Sequence, residues 1–153
     1  MPLTTGYANN VGNLRRAYRG PDELPQTAAA AIFNITGRVL LLSIEGVVGP
    51  TAIQNQANNT KLIANPTVGT DTDICAVVST ANAAIGTVAH ITGTFANAMV
   101  LSANGAHIEQ AGGVVLTAGT LDLSCAASNT GEMSWTAVYL PLTADGAMEP
   151  TAL

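Results

Sequence analysis

Two acidic side chains separated by one residue, Asp71 and Asp73, are the first candidate for chemistry. If this segment is extended, alternate residues point the same way, so both carboxylates could face one calcium ion. Calcium is usually held by six or more oxygen atoms, and the pattern supplies only two carboxylates. We therefore expect a solvated loop here, with no bound metal.

Two histidines and two cysteines are the other residues that could act as bases or nucleophiles. His90 lies in a run rich in β-branched residues, and His107 is expected at the edge of a strand. A Cys–His pair would need a third group to orient the histidine, and the sequence does not identify one. Cys75 and Cys125 lie in apolar, strand-like runs, so we expect buried free thiols.

Motifs of the common enzyme classes do not occur in the chain. There is no Gly-x-Ser-x-Gly nucleophile elbow, no glycine loop for phosphates or dinucleotides, and neither His-Glu-x-x-His nor paired Cys-x-x-Cys. We therefore expect a protein that is not an enzyme and has no catalytic residues, cofactor or small-molecule substrate.

The composition indicates a surface that partners cover. Charged residues make up 10% of the 153 residues, compared with about 25% in typical soluble domains. With 48% apolar residues, the polar surface must consist mostly of Thr, Ser, Asn and Gln. Such a surface is weakly protected against association, so we expect much of it to be covered. The alternative is a β-domain with one hydroxyl-rich face.

The hydrophobicity does not come from a membrane span. Val39 to Leu42 is among the longest apolar runs, and a spanning helix needs roughly 20 apolar residues. The segment from Met1 to Gly20 lacks the apolar core of a secretory signal. We expect synthesis in a cytoplasm and no membrane partner.

The net charge of −5 is distributed unevenly. Three of the five basic residues lie within the segment 15–19, and the rest of the chain is acidic. A nucleic-acid-binding protein would usually have a broad basic face with stacking aromatic residues. We therefore expect no nucleic acid partner.

Residues 1–26 are rich in glycine and proline and lack apolar periodicity. This pattern predicts an extended N-terminal arm that becomes ordered on a partner, and a frayed terminus is the alternative. Aromatic and leucine side chains alternate there with arginines, which suits a protein contact. The predicted partner-binding residues are Tyr7, Leu14, Arg15, Arg16, Tyr18 and Arg19.

After this arm, residues 27–142 predict an all-β domain. The run from Arg38 to Ile44 is apolar on both faces of a strand, as in a central strand covered on both sides. Further short β-branched runs are separated by glycine, proline and asparagine, which is typical of an antiparallel β-sandwich or jelly-roll-like fold. Residues 143–153 are predicted to be a flexible C-terminal tail.

The clearest local pattern comes near the end of this domain. Leu121, Leu123 and Cys125 alternate with polar residues, and a second alternating run begins at Met133. The segment between them contains turn-forming residues, so we expect the two runs to pair as a hairpin with one buried face. The predicted core anchors are Leu121, Leu123, Met133, Trp135 and Tyr139.

The stretch from Ile32 to Leu142 resembles virion structural proteins of tailed double-stranded DNA bacteriophages, and among these it is most similar to head decoration, or cement, proteins. The resemblance is carried by Phe33-Asn34-Ile35-Thr36-Gly37-Arg38-Val39, Glu45-Gly46-Val47-Val48-Gly49, Asn58-Asn59-Thr60-Lys61-Leu62, Asn65-Pro66, Asp73-Ile74-Cys75-Ala76, Ala118-Gly119-Thr120-Leu121-Asp122-Leu123, Asn129-Thr130-Gly131 and Trp135-Thr136-Ala137-Val138-Tyr139-Leu140-Pro141-Leu142.

Decoration proteins are compact β-domains, often trimers, that bind the major capsid protein on the outside of the head. The resemblance therefore implies a structural protein on the capsid surface, a homotrimer, synthesised in the cytoplasm of the host bacterium. Two other interpretations stay open: a tail, neck or fibre component of the virion, and a β-sandwich module that binds host cells or carbohydrate.

Overall fold

The computed structural model describes residues 13–152. This part of the chain forms ten strands and no α-helix, so the fold is all-β and antiparallel, as the sequence predicts. The strands are β1 (Arg15–Glu23), β2 (Ala29–Val48), β3 (Asn59–Pro66), β4 (Thr72–Asp73), β5 (Val78–Ser79), β6 (Val88–His90), β7 (Val100–Ser102), β8 (Val114–Cys125), β9 (Glu132–Pro141) and β10 (Ala147–Pro150).

Strand β2, with 20 residues, takes part in two groups of strands. Its first part pairs with β8 and β10, and its second part pairs mainly with β9 and β6. The group β10–β2–β8–β3–β4, with β5 also paired to β3, is named the first half-sheet. The group β1–β9–β2–β6–β7 is named the second half-sheet. The arrangement is consistent with a β-sandwich-like fold.

Gly37 lies where the neighbour of β2 changes from β10 to β9. Its φ angle is +56°, a left-handed conformation that favours glycine. A Cβ atom here would overlap the side chains of Thr143 and Asp145, in the loop between β9 and β10. That loop also binds β2, because the backbone N–H of Arg38 donates to Thr143 Oγ1 at 2.9 Å. Glycine therefore lets the loop pack closely where β2 passes from one half-sheet to the other.

One hydrophobic cluster contains the inward residues of both half-sheets. Alternation along each strand selects these residues, because successive side chains point to opposite faces. In the middle of β2, the consecutive residues Val39, Leu40 and Leu41 are all buried, as expected of a strand covered on both faces. The residues predicted as core anchors are also all buried: Leu121, Leu123, Met133, Trp135 and Tyr139.

The predicted hairpin between the two late strands is wrong. Strands β8 and β9 lie on opposite sides of β2, so the chain crosses over β2 between Cys125 and Glu132. The alternation correctly identifies which face of each strand is buried. It does not identify the neighbouring strand, which here comes from a segment far earlier in the chain.

The prediction of an arm separate from the β-domain is wrong for residues 15–23. They form β1, which pairs antiparallel with β9 at the edge of the second half-sheet. The strand continues into the core through Leu24, which is buried. The local sequence did not predict this strand, because residues 15–23 are rich in arginine and contain Gly20 and Pro21. Tyr7 and the remainder of segment 1–12 lie outside the described residues.

The prediction of a flexible tail is wrong for residues 147–150. They form β10, which pairs with residues 33–36 of β2, and Met148 is buried in the core cluster. The hydroxyl of Thr151 then donates to the backbone oxygen of Ala31 at 2.7 Å.

Residues 13–152 contain no helix with the length and hydropathy needed to cross a bilayer.

Candidate functional site

The two aspartates considered as calcium ligands, Asp71 and Asp73, lie just before and on β4. Asp73 forms an ion pair with Lys61, whose Nζ donates to Asp73 Oδ2 at 2.7 Å, and both aspartates are exposed. Within residues 13–152 there is no group of three His, Cys, Asp or Glu side chains that could hold a metal ion.

Both cysteines are free thiols buried in the core. Cys75 Sγ accepts a hydrogen bond from the backbone N–H of Leu62 at 3.3 Å, and Cys125 Sγ lies 3.8 Å from the hydroxyl of Thr60. Burial raises the pKa of both thiols, because a thiolate is poorly solvated there. They are therefore packing residues and poor nucleophiles at neutral pH.

The two histidines lie together, although sequence reasoning treated them separately. The ring centroids of His90 and His107 are 4.2 Å apart, with an angle of 26° between the planes. His107 Nε2 lies 2.9 Å from Glu45 Oε1. Three separate segments supply these residues: β6, the loop after β7, and β2. No local pattern in the sequence could have revealed the cluster.

His90 is the least satisfied member of this cluster. Its side chain is almost inaccessible, with 7% of the residue exposed, and neither ring nitrogen has a hydrogen-bond partner among the described residues. Burial lowers the pKa of His90, and the nearby His107 lowers it further. The backbone of Ile91 and the carboxylate of Glu45 oppose this shift without reversing it. His90 is therefore neutral at pH 7, with one donor and one acceptor nitrogen.

Residues 103–112, named the strap, lie across this cluster. The strap is anchored by Gln110, whose Nε2 donates to the backbone oxygen of Leu41 at 3.2 Å, and by the N–H of Ala111, which donates to Thr92 O at 2.9 Å. Ile108 of the strap is 89% exposed. Between the strap and strands β6 and β7 lies a mainly apolar groove of about 350 Å³, to which both His90 and Val100 contribute.

The groove opens at one end of a broader surface, the solvent-facing side of the second half-sheet. Pairing aligns one residue from each strand in a row: Tyr18, Thr136, Glu45, His90 and Val100. Residues in register share a face, so the surface also includes the neighbouring rows. Its members, named the open face, are Arg16, Tyr18, Ser43, Glu45, Val47, Val88, His90, Val100, Ser102, Ser134, Thr136 and Val138.

The open face is weakly charged. Of its members, only Arg16 and Glu45 carry formal charges at pH 7, and Glu45 is engaged by His107. Tyr18, Val47 and Val100 are exposed, and the central residues Thr136 and Val138 are half-buried. The surface is therefore composed mainly of β-branched and hydroxyl side chains.

The predicted partner-binding residues divide into two groups. Leu14, Arg15, Arg16 and Tyr18 are exposed on or beside β1. Arg19 is 8% exposed, and its guanidinium binds Asp22 Oδ2 at 2.6 Å and Thr151 Oγ1 at 3.2 Å. The partner-binding role predicted for Arg19 is therefore corrected to a structural one, since this side chain ties β1 to the segment after β10.

A second, smaller concavity of about 180 Å³ lies beside the end of β3 and the start of β8. Its lining includes the exposed ring of Phe95, the amide of Asn65 and the hydroxyl-bearing residues Thr70, Thr72 and Thr120. The Asn65 amide donates to Asp122 at 3.1 Å. This concavity combines one aromatic face with several uncharged polar groups.

Comparison with protein-family models, with curated proteins and with solved structures finds no match for this chain.

Proposed function

We propose that this chain is a non-enzymatic structural protein of a tailed bacteriophage virion, and specifically a head decoration protein that binds the major capsid protein. The observation that carries the proposal is the open face, which spans five strands with little charge and exposes apolar side chains. Exposed apolar surface on a small domain commonly marks a protein contact. The resemblance of residues 32–142 to phage virion proteins supplies the class of partner.

The size of the open face supports attachment in several copies. Five strands about 4.8 Å apart, each contributing three to five residues at about 3.3 Å, give a face of about 240–400 Å². A stable protein interface buries about 800 Å² on each partner. One copy alone would therefore bind weakly, and repetition around a symmetry axis would strengthen attachment by raising the effective concentration. We propose a homotrimer on the capsid lattice, because decoration proteins, which residues 32–142 resemble, are often trimers.

The composition of the edge strand β1 also supports a structural function in an assembly. An exposed strand edge tends to pair with other chains, and charged residues or proline on it limit such pairing. Strand β1 carries Arg15, Arg16 and Pro21, and its register with β9 shifts between Arg19 and Asp22. These features keep free subunits apart and leave the open face as the surface for assembly.

The test is to mix the purified protein with undecorated phage heads and measure co-sedimentation. The wild-type protein should bind saturably, and Thr136→Arg, which places a bulky charge at the centre of the open face, should bind at least tenfold more weakly. Val68→Arg is the matched control, because Val68 is exposed and lies outside the open face. Absence of wild-type binding to heads, or equal loss in both variants, would contradict the proposal.

The concavity beside Phe95 favours a second candidate, a module that binds carbohydrate. An aromatic ring next to hydroxyl and amide groups is a common arrangement in small-molecule sites. A glycan array separates the two functions, because a carbohydrate-binding module should bind defined glycans and lose them in Phe95→Ala. A head decoration protein should bind heads and leave the array empty.

A further inference from the structure

We propose that the groove beneath the strap binds a phenolic side chain, a tyrosine of a partner protein, with its ring on the apolar walls and its hydroxyl at His90. This inference goes beyond the proposed function and does not rest on it, because it concerns the groove alone and can be tested with small molecules.

The apolar walls require an occupant with an apolar body. Ile108 and Val100 are both exposed at the groove, and Ile108 is held out on a strap that is itself anchored by Gln110 and Ala111. A cavity of about 150 Å³ is enough to hold a benzene molecule. The groove, at about 350 Å³, therefore has room for a phenol ring and the chain that carries it.

The polar requirement comes from His90. Both of its ring nitrogens lack a partner among the described residues, and the residue lines the groove. Buried polar groups are nearly always hydrogen-bonded, so a pair of unpartnered nitrogens indicates a group that arrives with a ligand. A phenol hydroxyl can donate to one nitrogen of a neutral imidazole, or accept from the other. Phenylalanine would leave His90 unsatisfied.

The charges around the groove disfavour an anionic ligand. Glu109 lies in its lining, and Glu45 lies beside His107 at 2.9 Å. These carboxylates repel an anion, which disfavours an aspartate, a glutamate or a C-terminal carboxylate as occupant. A tyrosine side chain is neutral at pH 7 and combines the ring with one hydroxyl.

Three probes of the same shape test this inference on the full chain. In NMR titrations that follow the imidazole signals of His90, p-cresol should bind at least tenfold more tightly than toluene, which lacks the hydroxyl. The anion 4-methylbenzoate should bind more weakly than p-cresol. Equal affinity for p-cresol and toluene, or no saturable shift with p-cresol, would overturn the proposal.

Two variants locate the site. His90→Phe should abolish the preference for p-cresol over toluene, because a ring remains but its nitrogens are gone. If that variant does not fold, Ile108→Ser decides the question, since Ile108 is exposed and is not needed for the core. Ile108→Ser should weaken p-cresol binding at least fivefold, whereas Ile85→Ser, at an isoleucine 63% exposed outside the groove, should leave it unchanged. Equal effects of the two serine variants would contradict the assignment.

Discussion

The two faces of strand β9 differ in chemistry although they alternate residue by residue. Met133, Trp135 and Ala137 point inward and are buried, while Thr136 and Val138 point outward and are half-buried. The inward residues contact the core cluster, and the outward residues belong to the open face. The difference indicates that stability depends on the inward set and that the outward set is available for recognition.

The inward face is also closely packed. Gly46 of β2 is paired with Trp135, and a Cβ atom at Gly46 would lie 2.8 Å from two ring atoms of that indole. Glycine therefore makes room for the largest side chain of the core. On the outward face, Thr136 is only half-buried. The two faces should accordingly tolerate substitution to very different degrees.

The largest effect is expected from Trp135→Ala, which removes the indole from the inward face. We expect a loss of about 3–5 kcal/mol in the free energy of unfolding, since truncation leaves a cavity in addition to the lost burial. Chemical denaturation monitored by circular dichroism measures it. A loss below about 1 kcal/mol would show that the inward face does not dominate stability.

A smaller loss is expected from Gly46→Ala, which overfills the same region. The added methyl group would collide with Trp135 and Met133, and overpacking of this kind costs about 1–3 kcal/mol. Gly20→Ala is the matched control, because a Cβ atom at Gly20 of β1 meets no described atom within 4 Å. Comparable denaturation midpoints for the two variants would argue against close packing at Gly46.

The histidine cluster should make stability depend on pH. The pKa of His90 is lowered in the native state from its ordinary value of 6.5, so the unfolded chain binds this proton more readily. The native state should therefore lose stability as pH falls below about 6.5, by at most about 1.4 kcal/mol per pH unit for one proton. Denaturation from pH 8 to pH 5 should show a shallower decline in His90→Phe. Parallel profiles for variant and wild type would contradict this account.

The smallest effect is expected from Thr136→Ala on the outward face. Surface substitutions away from caps, buried networks and strained backbone usually change stability by less than about 0.5 kcal/mol. Denaturation should give the same midpoint as the wild type within that range. A loss above about 1 kcal/mol in the free energy of unfolding would mean that the open face has a structural role and would contradict the proposed difference between the two faces of β9.

Sequence patterns predicted the parts of the fold that depend on neighbouring residues. Alternation from Met133 to Tyr139 correctly identified a strand with one buried face, and the apolar run at Val39 correctly identified the middle of β2. The same patterns missed β1, because its inward Arg19 is paired with Asp22 and donates to Thr151, and Thr151 is distant in sequence.

The candidate site was less predictable than the fold. Glu45, His90 and His107 are each unremarkable in their own segment, and only pairing of β2 with β6 and closure of the strap bring them together. The rows of the open face likewise combine strands from both ends of the chain. Tertiary registers of this kind depend on long-range pairing, which local periodicity does not encode.

The sharing of β2 by both half-sheets has a consequence for synthesis of the protein. Of the described strands that pair with β2, only β6 precedes residue 113, while β8, β9 and β10 all follow it. In a nascent chain whose β8 has not yet emerged from the ribosome, most backbone hydrogen-bonding groups of β2 therefore have no partner strand. Folding must wait for the last strands, as is typical of proteins dominated by long-range β pairing. Translation products interrupted before β8 consequently lack both half-sheets, and only chains extended through β9 can present the complete open face.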